Sequence, residues 1–356
     1  MSGGEQMVAV IGGAGFIGSH LVDRLLAEGR AVLVVDDFSS GNEGNLALHD
    51  GNPRLRVARL DIRDEAALTG ALRGVGEVFH LACRNVRLSL RRPTEVHEVN
   101  ATGTLNALKA AAACGARRFL YCSSSEVCGT ADVVPMPEDY HFQPETIYGA
   151  SKLTGEYYTQ VFQRSGWLET VIVRPHNSYG PREHYKGVLG EVIPRFILKA
   201  LAGQPLTVYG DGAQTRDFTY VVETAAFLAR LMACDAAVGK TVNLCHGQEV
   251  SIAEIAQLIL AYTNSTSAIE HLPSRPSDVL RLFGDNSRLQ TLLGNAPQIA
   301  IAEGLRRTVD WFRENVPLNS GILESLAPAN WELSMAEPWF EAKEGGAKWG
   351  LRRPKP

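Results

Sequence analysis

Tyr148 and Lys152 stand four residues apart in the segment YGASK, inside a stretch (147–165) whose pattern predicts a helix. Residues i and i+4 of a helix share a face, so the phenol and the ammonium can act on one point. The nearby cation lowers the phenol's pKa, and an oxidised nicotinamide adds to that effect. A tyrosinate so prepared takes a proton from a substrate hydroxyl while hydride leaves the same carbon. The same spacing also occurs as an ordinary surface pair on a helix. What singles this one out is a serine run about 24 positions upstream, in FLYCSSSEVCGT (119–130), where Ser123, Ser124 and Ser125 are followed directly by the carboxylate of Glu126.

A second group of residues could hold the hydride acceptor. In VIGGAGFIGSH, Gly12, Gly15 and Gly18 recur every third residue, and Gly13, Gly15 and Gly18 also satisfy G-x-G-x-x-G. Glycines there allow a tight turn, close backbone approach to a pyrophosphate and close helix–strand packing. Phe16 and Ile17 complete the loop as it opens a helix, whose N-terminus offers free N–H groups and a positive dipole end. Asp36, 18 positions beyond Gly18 in VVDDFSSG, ends the next strand. A carboxylate there accepts hydrogen bonds from ribose hydroxyls and repels a 2′-phosphate, and no arginine directly follows it, so NAD is favoured over NADP. Asp37 reads as a solvated neighbour. Asp61, followed by Ile62 in RLDIRD, is placed either to meet an adenine or to cap a helix.

These residues need a scaffold that brings strand ends together. Apolar runs at 7–12, 31–36, 55–61, 77–82, 117–123 and 169–175 alternate with helical patterns at 16–28, 63–73, 95–114 and 147–165. That alternation predicts an α/β fold, a doubly wound parallel sheet of Rossmann type covered on both faces. Residues 1–176 form mainly the NAD-binding part. Residues 177–320, with Gly-rich loops such as VYGDGAQTRD, read as a smaller substrate lobe interlocked with the sheet. Residues 321–356 read as an extension that packs through Trp331, Trp339 and Trp349, on a neighbouring subunit, or as a partly ordered tail.

The 356 residues carry a net charge of −4 with 45% hydrophobic and 21% charged residues, enough for a sizeable core and too little basic charge for general nucleic-acid binding. Six cysteines (Cys83, Cys114, Cys122, Cys128, Cys234, Cys245) show neither a C-x-x-C pair nor a metal-ligand spacing, so we expect free thiols, no bound metal and a cytoplasmic setting. No signal peptide and no membrane span are expected. CRNVRLSLRRP (83–93) is unusually basic. On a helix Arg84, Arg87 and Arg91 would share one face, either to meet a sugar carboxylate or a diphosphate or as a solvated basic face.

Taken together, GGAGFIGSH, Asp36, LDIRD, VNATGTLNALKA, CSSSEVCG, YGASK, RPHNSYGPR, PLTVYGDGAQTRDFTYV and RPSDV resemble the extended short-chain dehydrogenase/reductase family, in its nucleotide-sugar epimerase, dehydratase and decarboxylase group. The resemblance spans residues 7–315. It implies a nucleoside-diphosphate sugar as substrate, a homodimer, Ser124 at the sugar O4′ with Ser125 beside it, phosphate and uridine-side contacts from Asn177, Arg216 and Arg275, and a conformational role for Asn100. Two positions depart from the family pattern, Ile11 for the usual threonine and Cys128 for the usual tyrosine, and neither removes a proton carrier.

The resemblance also gives Glu126 a reading. After oxidation at C4 the sugar is a ketone with an acidified C5 proton, and a carboxylate beside the O4′ serine is placed to remove it. Glucose-type dehydratases show Thr-Asp-Glu here. Ser124-Ser125-Glu126 lacks the middle acid and is more similar to the Thr-Ser-Glu of GDP-mannose dehydratases and UDP-glucuronate decarboxylases. The expectation is therefore an NAD-dependent enzyme of 4,6-dehydratase or decarboxylase type. A UDP-hexose 4-epimerase is the close alternative, and an NADP-dependent carbonyl reductase and a non-catalytic dinucleotide-sensing protein are more distant ones. Glu126 as a strand-end residue bonding to backbone is the plain alternative to the base.

Overall fold

The structure, a computed structural model, describes residues 6–274 and 280–326. Arg275 and the tryptophans at 331, 339 and 349 lie outside the described residues. The first half alternates β1 (Met7–Ile11), α1 (Phe16–Ala27), β2 (Val32–Asp36), β3 (Leu55–Arg59), α2 (Glu65–Ala71), β4 (Val75–His80), α3 (Val86–Ser89), α4 (Pro93–His97), α5 (Gly103–Ala113), β5 (Arg118–Cys122), α6 (Ile147–Arg164) and β6 (Glu169–Pro175). The second half adds β7 (Ser178–Tyr179), α7 (Val192–Leu201), β8 (Leu206–Tyr209), β9 (Thr215–Asp217), β10 (Thr219–Tyr220), α8 (Val221–Ala233), β11 (Thr241–Leu244), β12 (Glu249–Ser251), α9 (Ile252–Thr263), β13 (Ile269–Leu272), β14 (Arg281–Leu282), α10 (Ser287–Leu293), α11 (Ile301–Asn315) and α12 (Ser320–Ser325).

Seven strands form one parallel sheet in the order β11-β6-β5-β4-β1-β2-β3. Alternate residues of a strand face opposite sides, and the sequence uses both. Val8, Val10, Val32 and Val34 face Leu21, Val22 and Leu25 of α1 and Leu228, Leu231 and Met232 of α8. Ala9, Ile11, Leu33 and Val35 face Leu68 of α2 and Ala107, Leu108 and Ala111 of α5. Burial on both faces explains the near-continuous apolar runs. β3, at the edge, is the exception, with Val57 exposed. The sheet reverses direction of winding between β1 and β4, where a doubly wound fold opens its crevice at the carboxyl ends of the strands. β11 and α8 come from the second half yet complete this sheet and its cover. α10 joins the sheet's cover through Leu289, while α7, α9, α11 and α12 pack around Phe196, Ile197, Ile255, Leu305 and Phe312.

The predicted helix over 95–114 is interrupted. α4 passes into a π-helical turn, Glu98–Thr102, before α5. Such turns often mark functional sites, and this one carries Asn100. Its Oδ1 accepts from the Arg84 amide at 2.7 Å, and its Nδ2 donates to the Arg84 carbonyl at 3.1 Å and to Ser151 Oγ at 3.0 Å. One side chain thus ties the chain leaving β4 to α6.

A buried ionic network ties α6 to the sheet. Arg174 of β6 donates from Nε and Nη2 to the two carboxylate oxygens of Glu156 at 2.8 and 2.7 Å, and from Nη1 to the Glu138 carbonyl at 2.8 Å. Ser123, just past β5, donates from Oγ to Glu156 Oε1 at 2.6 Å. Both charged groups are shut off from solvent, and the guanidinium lies 4.9 Å from the Phe142 ring centre. A buried pair is tolerated when its other donors and acceptors are met, and breaking one partner typically costs about 3–5 kcal/mol. Glu156→Gln should therefore lose about that much in urea denaturation. Glu156→Leu combined with Arg174→Met should lose clearly less. An unchanged midpoint for Glu156→Gln would show that the network does not hold α6 in place.

Candidate active site

The carboxyl ends of the sheet and the second lobe enclose a cleft of about 1920 Å³. A pocket for one small ligand is ~300–1,000 Å³, so this one has room for two ligands laid end to end. It is lined by Gly12, Gly15, Phe16, Ile17, Gly18, Asp36, Asp61 and Ile62, by Ser124, Ser125, Glu126, Tyr148 and Lys152, and by Asn177 and Arg216. The residues named from the sequence are thus brought to one cavity, with Arg275 not described.

The central group is built by local contacts. Thr146 caps α6 by accepting from the Gly149 amide at 3.0 Å. That starts the helix so that Tyr148 falls in its first turn and Lys152 in its second. Gly149 is needed because a Cβ there would stand 2.6 Å from the Glu126 carbonyl, so α6 packs directly on the serine–glutamate turn. Ser124 opens that turn, its Oγ accepting from the Glu126 amide at 3.2 Å. Lys152 is 2% exposed, donates from Nζ to the Cys122 carbonyl at 2.6 Å and lies 4.5 Å from the Tyr121 ring centre.

Burial dominates the electrostatics. It pushes the Tyr148 phenol above its ordinary value, Cys83 adds to the rise, and Lys152 and a hydrogen bond with Ser124 pull it back. The lysine acts in the predicted direction, and desolvation, which the spacing does not report, outweighs it. Glu126 is also raised, first by burial and then by Glu145 and Glu191, against the pull of Arg216 and Arg87.

The glycine loop fits a dinucleotide. A Cβ on Gly12 would stand 2.5 Å from the Ala82 amide nitrogen, and one on Gly18 would stand 2.1 Å from the Gly12 carbonyl oxygen. At Gly15 the nearest such contact is 3.2 Å, which leaves the backbone open to the cleft. Gly15 caps α1 without a side chain, so the first-turn N–H groups stay available for a pyrophosphate. Asp36 accepts from the Ala14 amide through Oδ2 and from the Phe38 amide through Oδ1, both at 2.9 Å. Burial raises this carboxyl and the two amides pull it down. Among the described residues no group of three or more His, Cys, Asp or Glu could hold a metal, and no helix is long and apolar enough to cross a membrane.

Three expectations need correction. Asp61 does not cap α2. Asp64 does, accepting from the Ala67 amide at 2.9 Å, while Asp61 turns back to the Arg63 amide and guanidinium. Asp37 is not merely solvated, since it takes an ion pair from Arg84 at 3.1 Å and bonds Ser39. The basic segment is not a solvated helical face. Its helix spans only Val86–Ser89, because Asn100 pins Arg84 outside it. Arg84 is buried against Asp37, Ser39 and Glu95, and Arg87 is buried against Glu191. Sequence reasoning had no signal for Glu183, His184 or Glu191 as cleft residues, because they belong to the distant second lobe.

Comparison with known proteins agrees with this geometry. The chain is 37% identical over 315 residues to UDP-glucuronic acid decarboxylase 4 of Arabidopsis thaliana, covering 87% of this chain and 69% of that one. It is 36% identical over 308 residues to UDP-glucose 4-epimerase of Mycolicibacterium smegmatis, covering 85% and 97%. The fold superposes on a dTDP-glucose 4,6-dehydratase of Streptomyces venezuelae, solved with NAD bound, with a TM-score of 0.82 at 34% identity, covering 87% and 97%. Residues 8–245 match the family described as the NAD dependent epimerase/dehydratase family, and with the dinucleotide loop and the Tyr148–Lys152 pair on one cleft, the chain is a member of that family and a nucleotide-sugar enzyme of the extended short-chain dehydrogenase/reductase group.

Proposed function

We propose that this enzyme acts on a nucleoside-diphosphate hexose through transient oxidation at sugar C4 and then dehydrates it across C5 and C6. The observation that supports dehydration over simple epimerisation is the carboxyl of Glu126, raised by burial, carried on the turn that Ser124 opens and close enough for its charge to act on Tyr148. Gly12, Gly15, Phe16, Ile17 and Gly18 hold the pyrophosphate of NAD, Asp36 its ribose hydroxyls, and Asp61 and Ile62 its adenine side. When bound, NAD supplies the hydride acceptor that turns C4 into a ketone.

The rest is done by side chains of the chain. Ser124 holds the C4 hydroxyl, with Ser125 beside it. Tyr148 takes the hydroxyl proton, and Lys152 lowers the cost of the phenolate. Glu126 then takes the C5 proton and, as the conjugate acid, gives it to the departing C6 hydroxyl, which leaves as water; the hydride removed from C4 would return at C6, with a solvent proton at C5, so that the cofactor would end oxidised. A raised carboxyl is the better base for an acidified carbon, because its conjugate acid holds the proton more firmly. Asn177, Arg216 and Arg275 hold the nucleotide and its phosphates. Decarboxylation of a uronate and 4-epimerisation are the competing outcomes, and both use the same Tyr148–Lys152–Ser124 set.

We also propose a cytoplasmic homodimer. Six free cysteines accord with a reducing compartment, and Tyr157 and Val161, one turn apart on α6, are exposed apolar positions for a second copy. Light scattering at twice the monomer mass would support the dimer, and a monomer mass at micromolar concentration would refute it.

Incubation with UDP-, dTDP- and GDP-sugars, read by mass spectrometry, separates the reactions. Loss of one water is the expected result, while loss of carbon dioxide or an epimer of unchanged mass would replace it. Tyr148→Phe should cut turnover by at least ~10²-fold with NAD binding kept. Glu126→Gln keeps the shape but cannot accept a proton, so solvent deuterium should stop entering C5 and dehydrated product should fail to form. Parent-like dehydration in a stable Glu126→Gln protein would defeat the base assignment. Asp36→Ala should narrow the preference for NAD over NADP in direct binding. Equal affinity of the unmodified protein for both would remove Asp36 from its role.

A further inference from the structure

We propose that the Arg87–Glu191 ion pair, which bridges the two lobes at the sugar end of the cleft, selects the substituent on sugar C6, admitting an uncharged one and turning a carboxylate away. This rests on the proposed action on a nucleotide sugar and adds the class of sugar.

Position comes first. Arg87 lies on α3 in the first half, and Glu191 caps α7 in the second. Arg87 Nη1 donates to Glu191 Oε1 at 2.7 Å, and Nη2 donates to Oε2 at 2.5 Å. This is a fork-to-fork pair between residues 104 apart in sequence. Arg87 is buried, while the Glu191 side chain keeps 38% of its surface, and both line the cleft. The charges of both act on Glu126, Arg87 to lower its pKa and Glu191 to raise it. A base that reaches C5 necessarily has C6, bonded to C5, beside it as well. The C6 substituent therefore meets the charges that surround Glu126.

Those charges disfavour an anion. The carboxyls acting on Glu126 are Glu145 and Glu191, and the guanidiniums are Arg87 and Arg216. Arg87 already directs its two terminal nitrogens at Glu191. Arg216, the guanidinium whose charge acts most on Glu126, sits on β9, donates from Nη1 to the Thr215 carbonyl at 2.8 Å and lines the cleft. Glu183, also lining the cleft and buried, has its carboxyl raised by burial and by Glu191, and it adds no positive charge to this end of the cleft. An incoming uronate carboxylate has two choices. It displaces Glu191 from Arg87 and strands that carboxylate near Glu126, or it sits among carboxylates with the Arg87 fork filled. The first costs Glu191 its charge-assisted partner, and the second sets the uronate against carboxylates without the Arg87 fork, so either is less favourable than placing a neutral group. A hydroxymethyl group needs only an acceptor or donor, and discrimination of this kind arises from what the site does to the wrong ligand.

The test is calorimetric binding to the full chain with NAD bound. UDP-glucose is compared with UDP-glucuronate, and GDP-mannose with GDP-mannuronate. In whichever pair binds, the neutral sugar should bind at least tenfold tighter. Glu191→Gln, which keeps the shape and removes the competing charge, should shrink that gap at least tenfold, mainly by tightening the uronate. Uronate binding equal to or tighter than the neutral sugar in the unmodified protein overturns the inference, whether or not the variant folds, and leaves the nucleotide-sugar reading standing. A gap unchanged in folded Glu191→Gln also overturns it. If NAD binds but none of the four sugar nucleotides does, the underlying reading falls and this inference with it.

Discussion

Arg174 and Glu156 exchange two charge-assisted hydrogen bonds in a place solvent does not reach, and that contact sets the positions of the reacting groups. Glu156 stands one turn beyond Lys152 and two turns beyond Tyr148, so all three share the face of α6 that meets the sheet. Fixing Glu156 to β6 fixes the rotation of the helix about its axis. Ser123, bonded to the same carboxylate, fixes the first residue of the serine run to the same point. The ring of Tyr121 then fills the space below, its hydroxyl donating to the Lys152 carbonyl at 3.1 Å. Gly155 is the local consequence, since a Cβ there would stand 2.2 Å from that hydroxyl oxygen. A site that must place a phenol, an ammonium and a hydroxyl within hydrogen-bonding reach needs this kind of support, because small misplacements are costly in rate.

The same exclusion of water sets the electrostatic tone of the cleft. Burial raises Tyr148, Glu126 and Glu183 together and lowers His80 and His176 to about 3. The imidazoles are therefore neutral and take no part as acids, which leaves Lys152, Arg87 and Arg216 as the cations that act on the reacting groups. A phenol raised by burial is a poor base until more positive charge arrives. On the proposed mechanism the proton transfer would thus be tied to the arrival of an oxidised nicotinamide, whose charge would add to that of Lys152. The arrangement links readiness for chemistry to cofactor state without a moving part.

How much of this could be read from the chain depends on distance along it. The glycine loop, Asp36 and the Tyr148–Lys152 pair are local patterns, and strand and helix periods are local too, so the parallel sheet and the cofactor half were legible. The pairs that shape the sugar end are not local. Arg87 and Glu191 are 104 residues apart, Arg84 and Asp37 47, and Ser123 and Glu156 33. No local pattern announces such a pair. The basic segment shows the failure clearly. Its arginines have helical spacing, but the backbone at Arg84 is held by Asn100 from another element, and the helix begins only after it. Tertiary hydrogen bonds overrode a sound periodicity. The net rise of Tyr148 was out of reach for a related reason, since i, i+4 geometry reports the lysine, which does lower the phenol, but not the burial that outweighs it.

The near-equal identity to a decarboxylase and an epimerase, 37% and 36%, has a physical reading. Oxidation at C4 needs the sheet, the glycine loop, Ser124, Tyr148 and Lys152, and every reaction in the group begins with it. That machinery occupies most of the first half of the chain and dominates any comparison of whole sequences. On the mechanism proposed above, the fate of the C4 ketone is decided at C5 and C6 by Glu126 and the charges acting on it, among them Arg87 on the short helix after β4 and Glu191 at the entry to α7. Few residues lie there, and changing the sign of one of them leaves the fold and the overall identity almost untouched. On that mechanism a few charge contacts between lobes would carry the choice of reaction, and whole-chain identity, nearly equal for the decarboxylase and the epimerase, would not report it.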